Sequence, residues 1–209
     1  MELGLILSFL GMSILLSLMP GPDNIFILTE SLTKGQRNGI VLSLGLSLGV
    51  LVHTIGAATG LSIVIQQSAM AFSMIKYLGA AYLLYLAYQA FKEKKTVLNF
   101  KSEDAGKESG LFFLIRKGFL MNVLNPKVSL FFIAFLPQFI TENGFNVAFQ
   151  MIILGLIFML QAIIIFSAIA IFAGKLTKYI NHPSFWKVTK WSKISVLSIL
   201  AVTLAFSKK

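Results

Sequence analysis

The sequence contains no cysteine and few charged residues. Of its 209 residues, 12% are charged and 56% are hydrophobic, whereas a soluble domain carries about 25% charged residues. The absence of cysteine excludes disulfides, thiolate metal sites and thiol-based electron relays. The shortage of charge leaves too little polar surface to cover a globule in water. Lipid is therefore the expected solvent for most of the chain.

Long apolar runs account for this composition. Each is close to the length of about 20 residues that crosses the hydrocarbon core of a bilayer. They lie near 3–30, 38–65, 69–91, 112–138, 146–173 and 190–206. These runs predict an all-α, polytopic membrane protein with six transmembrane helices.

One long hydrophilic stretch, residues 92–110, divides the chain. We predict a single transmembrane domain over 1–209, with a first half at 1–91, a cytoplasmic linker at 92–110 and a second half at 111–209. Three spans per half make the second half enter the membrane from the opposite face, so an inverted repeat of three plus three is expected.

The formal net charge of +10 could suggest a nucleic-acid partner. However, the basic residues gather in three connecting segments, near 31–37, 92–117 and 174–193, and the other two loops contain no Lys or Arg. This distribution is typical of membrane orientation rather than of a binding patch. It places the three basic segments inside and both termini outside, and we expect no nucleic acid as partner.

Each half opens with a span that proline interrupts, at Gly21-Pro22 and at Asn125-Pro126. Proline in a helix interior removes a hydrogen bond and costs about 3 kcal/mol. Within a membrane the freed backbone groups must find other partners. In each half, about ten apolar-rich residues follow the break, then a turn beginning at Thr33 or Thr141, and then a long second span.

Both interruptions can start a new helix. Gly21 suits a cap position and Pro22 the first helical position, which leaves Asp23 in the first turn. Asn125 and Pro126 have the same pattern, followed by Lys127, which opposes the helix dipole. Spans one and four would thus aim two half-helix N-termini, which attract carboxylates, into the membrane interior. In the alternative, both breaks are packing kinks and Asp23 merely pairs with Lys127.

Span two contains His53 within a stripe of small residues at helical spacing, formed by Gly45, Gly49, Gly56 and Gly60. Such a stripe indicates close contact between helices, which would place His53 in the protein interior. An interior histidine can carry a proton near neutral pH. In the alternative, His53 is structural and hydrogen-bonds a backbone carbonyl.

Further polar residues fall within the apolar runs. Asn122 lies one turn before Asn125 on the same helix face and joins the candidate site. Lys76 is expected to extend its ammonium to the membrane surface. The role of Gln161 stays open.

The sequence has no signature of an enzyme. The HExxH and Walker patterns are absent, and there are two histidines. We therefore predict no catalytic residue, no cofactor and no metal site, since metal ligands are too few.

At these positions the chain resembles the LysE/RhtB family of amino-acid exporters over essentially its whole length. The residues that carry the resemblance are Pro20-Gly21-Pro22-Asp23-Asn24, the glycine-rich span with His53 and Gly60-Leu61, Lys76-Tyr77-Leu78-Gly79-Ala80-Ala81-Tyr82-Leu83, Gly118-Phe119, Asn122, Asn125-Pro126-Lys127 and Phe135-Leu136-Pro137-Gln138-Phe139. The resemblance implies proton-driven efflux of amino acids or their derivatives across the bacterial cytoplasmic membrane.

The residues and the resemblance together predict alternating access around a site between spans one and four. We expect Asp23 to bind the substrate ammonium and Lys127, with the half-helix N-termini, to bind its carboxylate. His53 or Asp23 would exchange protons. The predicted substrate-binding residues are Gly21, Pro22, Asp23, Asn24, Asn122, Asn125 and Lys127. The alternative is an ion channel or inorganic-ion exchanger; membrane lipid is a partner, and the many apolar faces would also allow a homo-oligomer.

Overall fold

A computed structural model describes residues 2–93, 110–141, 144–180 and 183–207. All regular structure in these ranges is helical. Most of the predicted linker, residues 94–109, lies outside the described residues.

The described residues form a series of helices in which two long elements pass through wider turns. A π-helical turn at Ala57–Leu61 joins α3 to α4, and a π-helical turn at Phe131–Phe135 and a 3-10 turn at Leu136–Phe139 prolong α7. The helices are α1 (Leu3–Leu18), α2 (Pro22–Lys34), α3 (Gln36–Gly56), α4 (Ser62–Gln67), α5 (Ala69–Lys92), α6 (Leu111–Val123), α7 (Pro126–Leu130), α8 (Val147–Ile171), α9 (Ala173–Ile180) and α10 (Pro183–Phe206).

Within the described ranges, four helices are long and apolar enough to cross a membrane. They are Gln36–Val64, Ala69–Lys92, Val147–Ile171 and Trp186–Phe206. Two bent pairs bring the total to as many as six, with a bend of 58° between α1 and α2 and of 50° between α6 and the segment from Pro126 to Phe139. The predicted polytopic helical fold, with spans one and four broken at proline, is confirmed. The sequence did not predict α9, which falls within the basic segment 174–193.

The packing of the helices relates the two halves. Helix α3 packs against α6, and α8 packs against α1. In addition α3 packs against α8, and α5 against α10. If the two halves are exchanged, the contact of α3 with α6 becomes the contact of α8 with α1. The contacts of α3 with α8 and of α5 with α10 each map onto themselves, as expected for the predicted repeat.

The approach of α3 to α6 depends on glycine. A Cβ atom added at Gly45 would meet the backbone of Ile115, and one added at Gly49 would lie 2.9 Å from the carbonyl oxygen of Phe119. The predicted glycine stripe is thus a helix contact at these two positions. It is not one at Gly56 and Gly60, where an added Cβ meets no described atom within 4 Å. The reason is that α6 ends at Val123 and the chain bends away, so no helix covers the remaining stripe.

A cluster of aromatic rings packs in the interior around the helical segment that follows the second break. Phe131 stacks on Phe135 with ring centres 5.2 Å apart and also contacts Phe9 of α1 and Phe158 of α8. Phe9, Phe131 and Phe135 are almost completely buried. The cluster fixes the half-helix that follows the second break against both α1 and α8.

The flanks of the basic segments meet at one end of the bundle. The Gln36 side-chain amide donates to the carbonyl oxygen of Ile171 at 3.0 Å. Lys193 Nζ lies 2.9 Å from Glu93 Oε2. The first contact joins the start of α3 to the end of α8, and the second joins the cytoplasmic ends predicted for α5 and α10. The three basic segments therefore emerge on the same side.

Candidate functional site between the two broken spans

The first break separates α1 from α2. Met19 leaves the helix with extended backbone (ψ 121°) because it precedes Pro20. Gly21 is the N-cap of α2, also extended at φ −157°, and Pro22 occupies the first turn as predicted. Gly21 offers no side chain to cap the amides of α2, and Asp23 lies in the first turn.

The second break separates α6 from α7. Asn125 is the N-cap of α7, with its side-chain oxygen accepting a hydrogen bond of 3.0 Å from the Lys127 backbone N–H. Pro126 follows in the first turn. The N-terminus of α7 is therefore capped by a side chain of its own segment, whereas that of α2 is not.

The two breaks meet at one buried polar centre. Asp23 is 1% exposed and accepts a hydrogen bond of 2.5 Å from the Asn125 side-chain amide to Oδ2. Lys127 Nζ lies 4.0 Å from the same carboxylate oxygen. The predicted convergence of the carboxylate and the ammonium is present, and the mutual pairing considered as the alternative is present too.

Lys127 also satisfies the end of α1. Its ammonium donates a hydrogen bond of 3.1 Å to the carbonyl oxygen of Leu16. The last carbonyls of a helix lack partners within it, and a cation there is favoured by the helix dipole. Lys127 opposes the dipole of its own helix but complements the dipole of α1, which explains its position.

Asn24 serves the same end of α1. Its side-chain amide donates to the carbonyl oxygens of Ser17, Leu18 and Met19, at 3.1, 3.4 and 3.2 Å. This bonding fixes the orientation of the side chain. It leaves Asn24 Oδ1 buried without a hydrogen-bond partner in the described part of the chain.

Space beside Gly21 adjoins the ammonium. A Cβ atom added at Gly21 would lie 3.7 Å from Lys127 Nζ, with no closer described atom. The uncapped N-terminus of α2 and the Lys127 ammonium are therefore neighbours. Both attract an anion.

His53 and Asn122 lie next to this centre, at the end of α6. His53 Nε2 is 3.2 Å from the carbonyl oxygen of Asn122, and its ring lies 5.7 Å from that of Phe132. His53 is half-buried. The backbone contact is the one expected of a structural histidine, and it places His53 at the second break. Asn122 Oδ1 is buried, and no described residue donates to it.

Lys76 and Gln161, which were not included in the predicted site, both make specific contacts between helices. Lys76 is 6% exposed, and its ammonium donates to the carbonyl oxygen of Ser207 at 2.9 Å, just past the end of α10. This bond ties α5 to the end of α10. Gln161 of α8 reaches α1, where its Nε2 lies 2.9 Å from Ser17 Oγ. Gln161 was noticeable in the sequence as a polar residue within an apolar run, but its partner was not.

The arrangement offers both signs of charge in a buried space. Asp23, Asn125 and Lys127 are in contact, with Gly21 and Pro22 beside them, while Asn24 caps α1 and His53 and Asn122 line the adjoining end of α6. Among the described residues, no three acidic or histidine side chains are grouped to hold a metal ion. Such a site can bind a small molecule that carries an anion and a hydrogen-bond donor.

Comparison with known proteins identifies the family. The model of the LysE type translocator family matches residues 14–208. The chain is 32% identical to the uncharacterized membrane protein YrhP of Bacillus subtilis (88% of this chain, 90% of YrhP). It is 30% identical to an uncharacterized membrane protein of Vibrio cholerae (93% and 92%) and 27% identical to the homoserine/homoserine lactone efflux protein of Salmonella typhimurium (96% and 96%).

No solved structure matches the chain significantly. The family match covers nearly all of the sequence, including both breaks and every residue of the candidate site. This chain is a multi-pass membrane protein that belongs to the LysE type translocator family.

Proposed function

We propose that the protein is a secondary-active exporter of amino acids or amino-acid derivatives, coupled to protons, in the bacterial cytoplasmic membrane. The observation that supports this most is the buried centre in which Asp23 and Lys127 bring opposite charges together at two broken helices. Ionisable residues inside a membrane are costly and mark pathways or pair with one another. A zwitterionic substrate requires both charges.

The two ends of the substrate would be bound separately. Its carboxylate enters the space beside Gly21, between the uncapped N-terminus of α2 and the ammonium of Lys127. Its ammonium binds Asp23, which exchanges the hydrogen bond from Asn125 for the substrate. Alternating access follows when the two halves move around this site.

Proton coupling would use His53 or Asp23. His53 contacts the end of α6 four residues before Pro126, so a change in its charge acts on the second break. Asp23 can take up a proton when the substrate ammonium leaves. Replacement of His53 by Gln keeps a polar side chain that cannot titrate. We expect it to remove the dependence of export on the proton gradient.

Orientation follows from the position of the basic segments on one side of the bundle. The positive-inside rule makes that side cytoplasmic and both termini external. The chain has no cysteine, so single cysteines at Glu2 and Ser207 can be tested with a membrane-impermeant thiol reagent. Labelling of both in intact cells is expected, and labelling only after lysis would reverse the orientation.

The function is tested by comparing cells with and without the protein after loading with dipeptides. Selective retention of one amino acid in the deficient cells would identify the substrate. The relative from Salmonella typhimurium makes homoserine the first compound to test. Conductance, or flux that ignores the amino-acid load, would instead indicate a channel or an inorganic-ion exchanger.

A further inference from the structure

Polar atoms without partners collect at the end of α1. Asn24 Oδ1 and Gln161 Oε1 are buried and find no hydrogen-bond donor among the described residues. Both side chains are held through Ser17, since Asn24 donates to its carbonyl oxygen and Gln161 contacts its hydroxyl. A buried acceptor without a donor costs about 1–3 kcal/mol. Two such acceptors around one residue indicate that a donor other than the described residues completes the group.

Gln161 corresponds to His53 in the repeat. His53 lies 20 residues after Thr33 (53 − 33), and Gln161 lies 20 residues after Thr141 (161 − 141), the threonines that begin the matching turns. Each side chain extends from the long second span of its half to the end of the broken helix of the other half: His53 to α6, and Gln161 to α1.

The contacted positions both lie shortly before the proline of their half. Asn122 precedes Pro126 by four residues, and Ser17 precedes Pro22 by five. Gln161 is 6% exposed, so it faces the protein interior and not lipid. Its neighbour Ile164, one turn away, is 69% exposed.

We propose that Gln161, together with Ser17 and Asn24, is a substrate-binding group of the exporter that accepts a hydrogen bond from the amino acid. The inference rests on the proposed function. The required group is a hydrogen-bond donor, and two parts of the substrate can supply it. One is the α-ammonium, and the other is a hydroxyl or amide of the side chain. A site built to receive a hydrogen bond discriminates strongly against a ligand that lacks the donor.

The test uses the purified full-length protein. It measures how far each of the twenty standard L-amino acids and L-homoserine raises the unfolding temperature as its concentration increases, which gives an order of affinities. Each compound is also used as its N-acetyl derivative, which removes the ammonium. The variant is Gln161→Met, which keeps the length of the side chain and removes its hydrogen bonding. The matched control is Ile164→Met on the lipid side of the same helix.

We expect Gln161→Met to weaken binding of the preferred amino acid about tenfold, while Ile164→Met leaves it unchanged. Loss of the preference for free over N-acetylated compounds assigns the donor to the ammonium. Loss of the preference for side chains with a hydroxyl or amide over apolar ones assigns it to the side chain. Either result supports the inference.

A structural role predicts a different result. If Gln161 only ties α8 to α1, then Gln161→Met and Ser17→Ala lower the unfolding temperature equally, and every compound keeps its place in the order of affinities. That outcome overturns the inference alone. If the wild-type protein binds none of the amino acids, the proposed function fails and the inference fails with it. Gln161→Asn, which withdraws the amide by one methylene, replaces Gln161→Met if the latter does not accumulate in the membrane.

Discussion

The two broken spans are interrupted in the same way, by a proline at the start of a new helix, but the residues that cap the new helices differ. In both, a proline occupies the first turn of the second helical segment. The second break is capped by its own Asn125, whereas the first has Gly21 at the cap and leaves the amides of α2 open. One break is thus capped within its own segment, and the other has no side-chain cap. A helix N-terminus without a side-chain cap is a ready site for an anion.

Each break also supplies hydrogen-bond partners to the other. Lys127 from the second break bonds a carbonyl at the end of α1, and Asn125 donates to Asp23 in the first. In lipid these groups cannot use water instead, so each break depends on the other for its polar partners. Movement of one half relative to the other must therefore change the centre between them.

Asp23→Asn should have the largest effect, because it removes the negative charge from the shared centre and leaves Lys127 unpaired. We expect export to fall about 10- to 150-fold, since hydrogen bonds to charged groups contribute about 1.5–3 kcal/mol. Export per molecule is measured in cells after the amount of protein in the membrane has been determined. Export at the wild-type rate would remove Asp23 from the mechanism.

Gly21→Ser would make the first break resemble the second. The extended backbone at Gly21 accepts serine, whose hydroxyl can cap α2, so stability should rise by about a few tenths of a kcal/mol. Export should nevertheless fall about tenfold, because the cap occupies the site proposed for the carboxylate. Unfolding temperature and export are measured together. The control is Gly21→Ala, which fits the same space without capping; equal export by both variants would show that the open terminus is not used.

Gly49→Ala tests the support beneath the second break. The added Cβ would lie 2.7 Å from the Cβ of Asn122 and 2.9 Å from the Phe119 carbonyl oxygen, so α6 must shift. Overpacking of this kind costs about 1–3 kcal/mol. Gly56→Ala on the same helix meets open space and should be neutral. If thermal unfolding of the two variants is the same, the contact between α3 and α6 is looser than described.

Asn125→Ala should lower the stability of the second break. It removes the cap of α7, which contributes about 1 kcal/mol, and the hydrogen bond to Asp23. Asn125→Asp, which retains the cap but adds a negative charge beside Asp23, separates these two roles. If both variants lose equal stability and equal export, the hydrogen bond to Asp23, rather than the cap, accounts for the loss.

Much of the fold could be read from the sequence. Apolar length predicted the spans, and the fixed geometry of proline predicted both breaks and the placement of Pro22 and Pro126 in first turns. Helix α9 was missed because a helix as short as Ala173–Ile180 has no long run of apolar residues to mark it. Gly56 and Gly60 were misassigned because helical spacing gives the face of a residue but not where the neighbouring helix ends.

The sequence predicted which residues form the candidate site better than it predicted their hydrogen-bond partners. The signs of Asp23 and Lys127 and their positions after prolines were enough to bring them together. Their partners were not, because Lys127 and Asn24 bond backbone carbonyls of α1, and a carbonyl has no signal in the sequence. Gln161 had the signal of a polar residue in an apolar run, and its contact with Ser17 depends on how the two halves pack.

The central claim is that the opposite charges of Asp23 and Lys127 bind substrate and do more than neutralise each other. It is tested most directly by export from cells carrying Asp23→Asn together with Lys127→Met. Replacing a buried ion pair by neutral residues of similar size is often tolerated in stability. The account predicts a folded protein at wild-type levels in the membrane with export at background. Export at the wild-type rate by this double variant would contradict it.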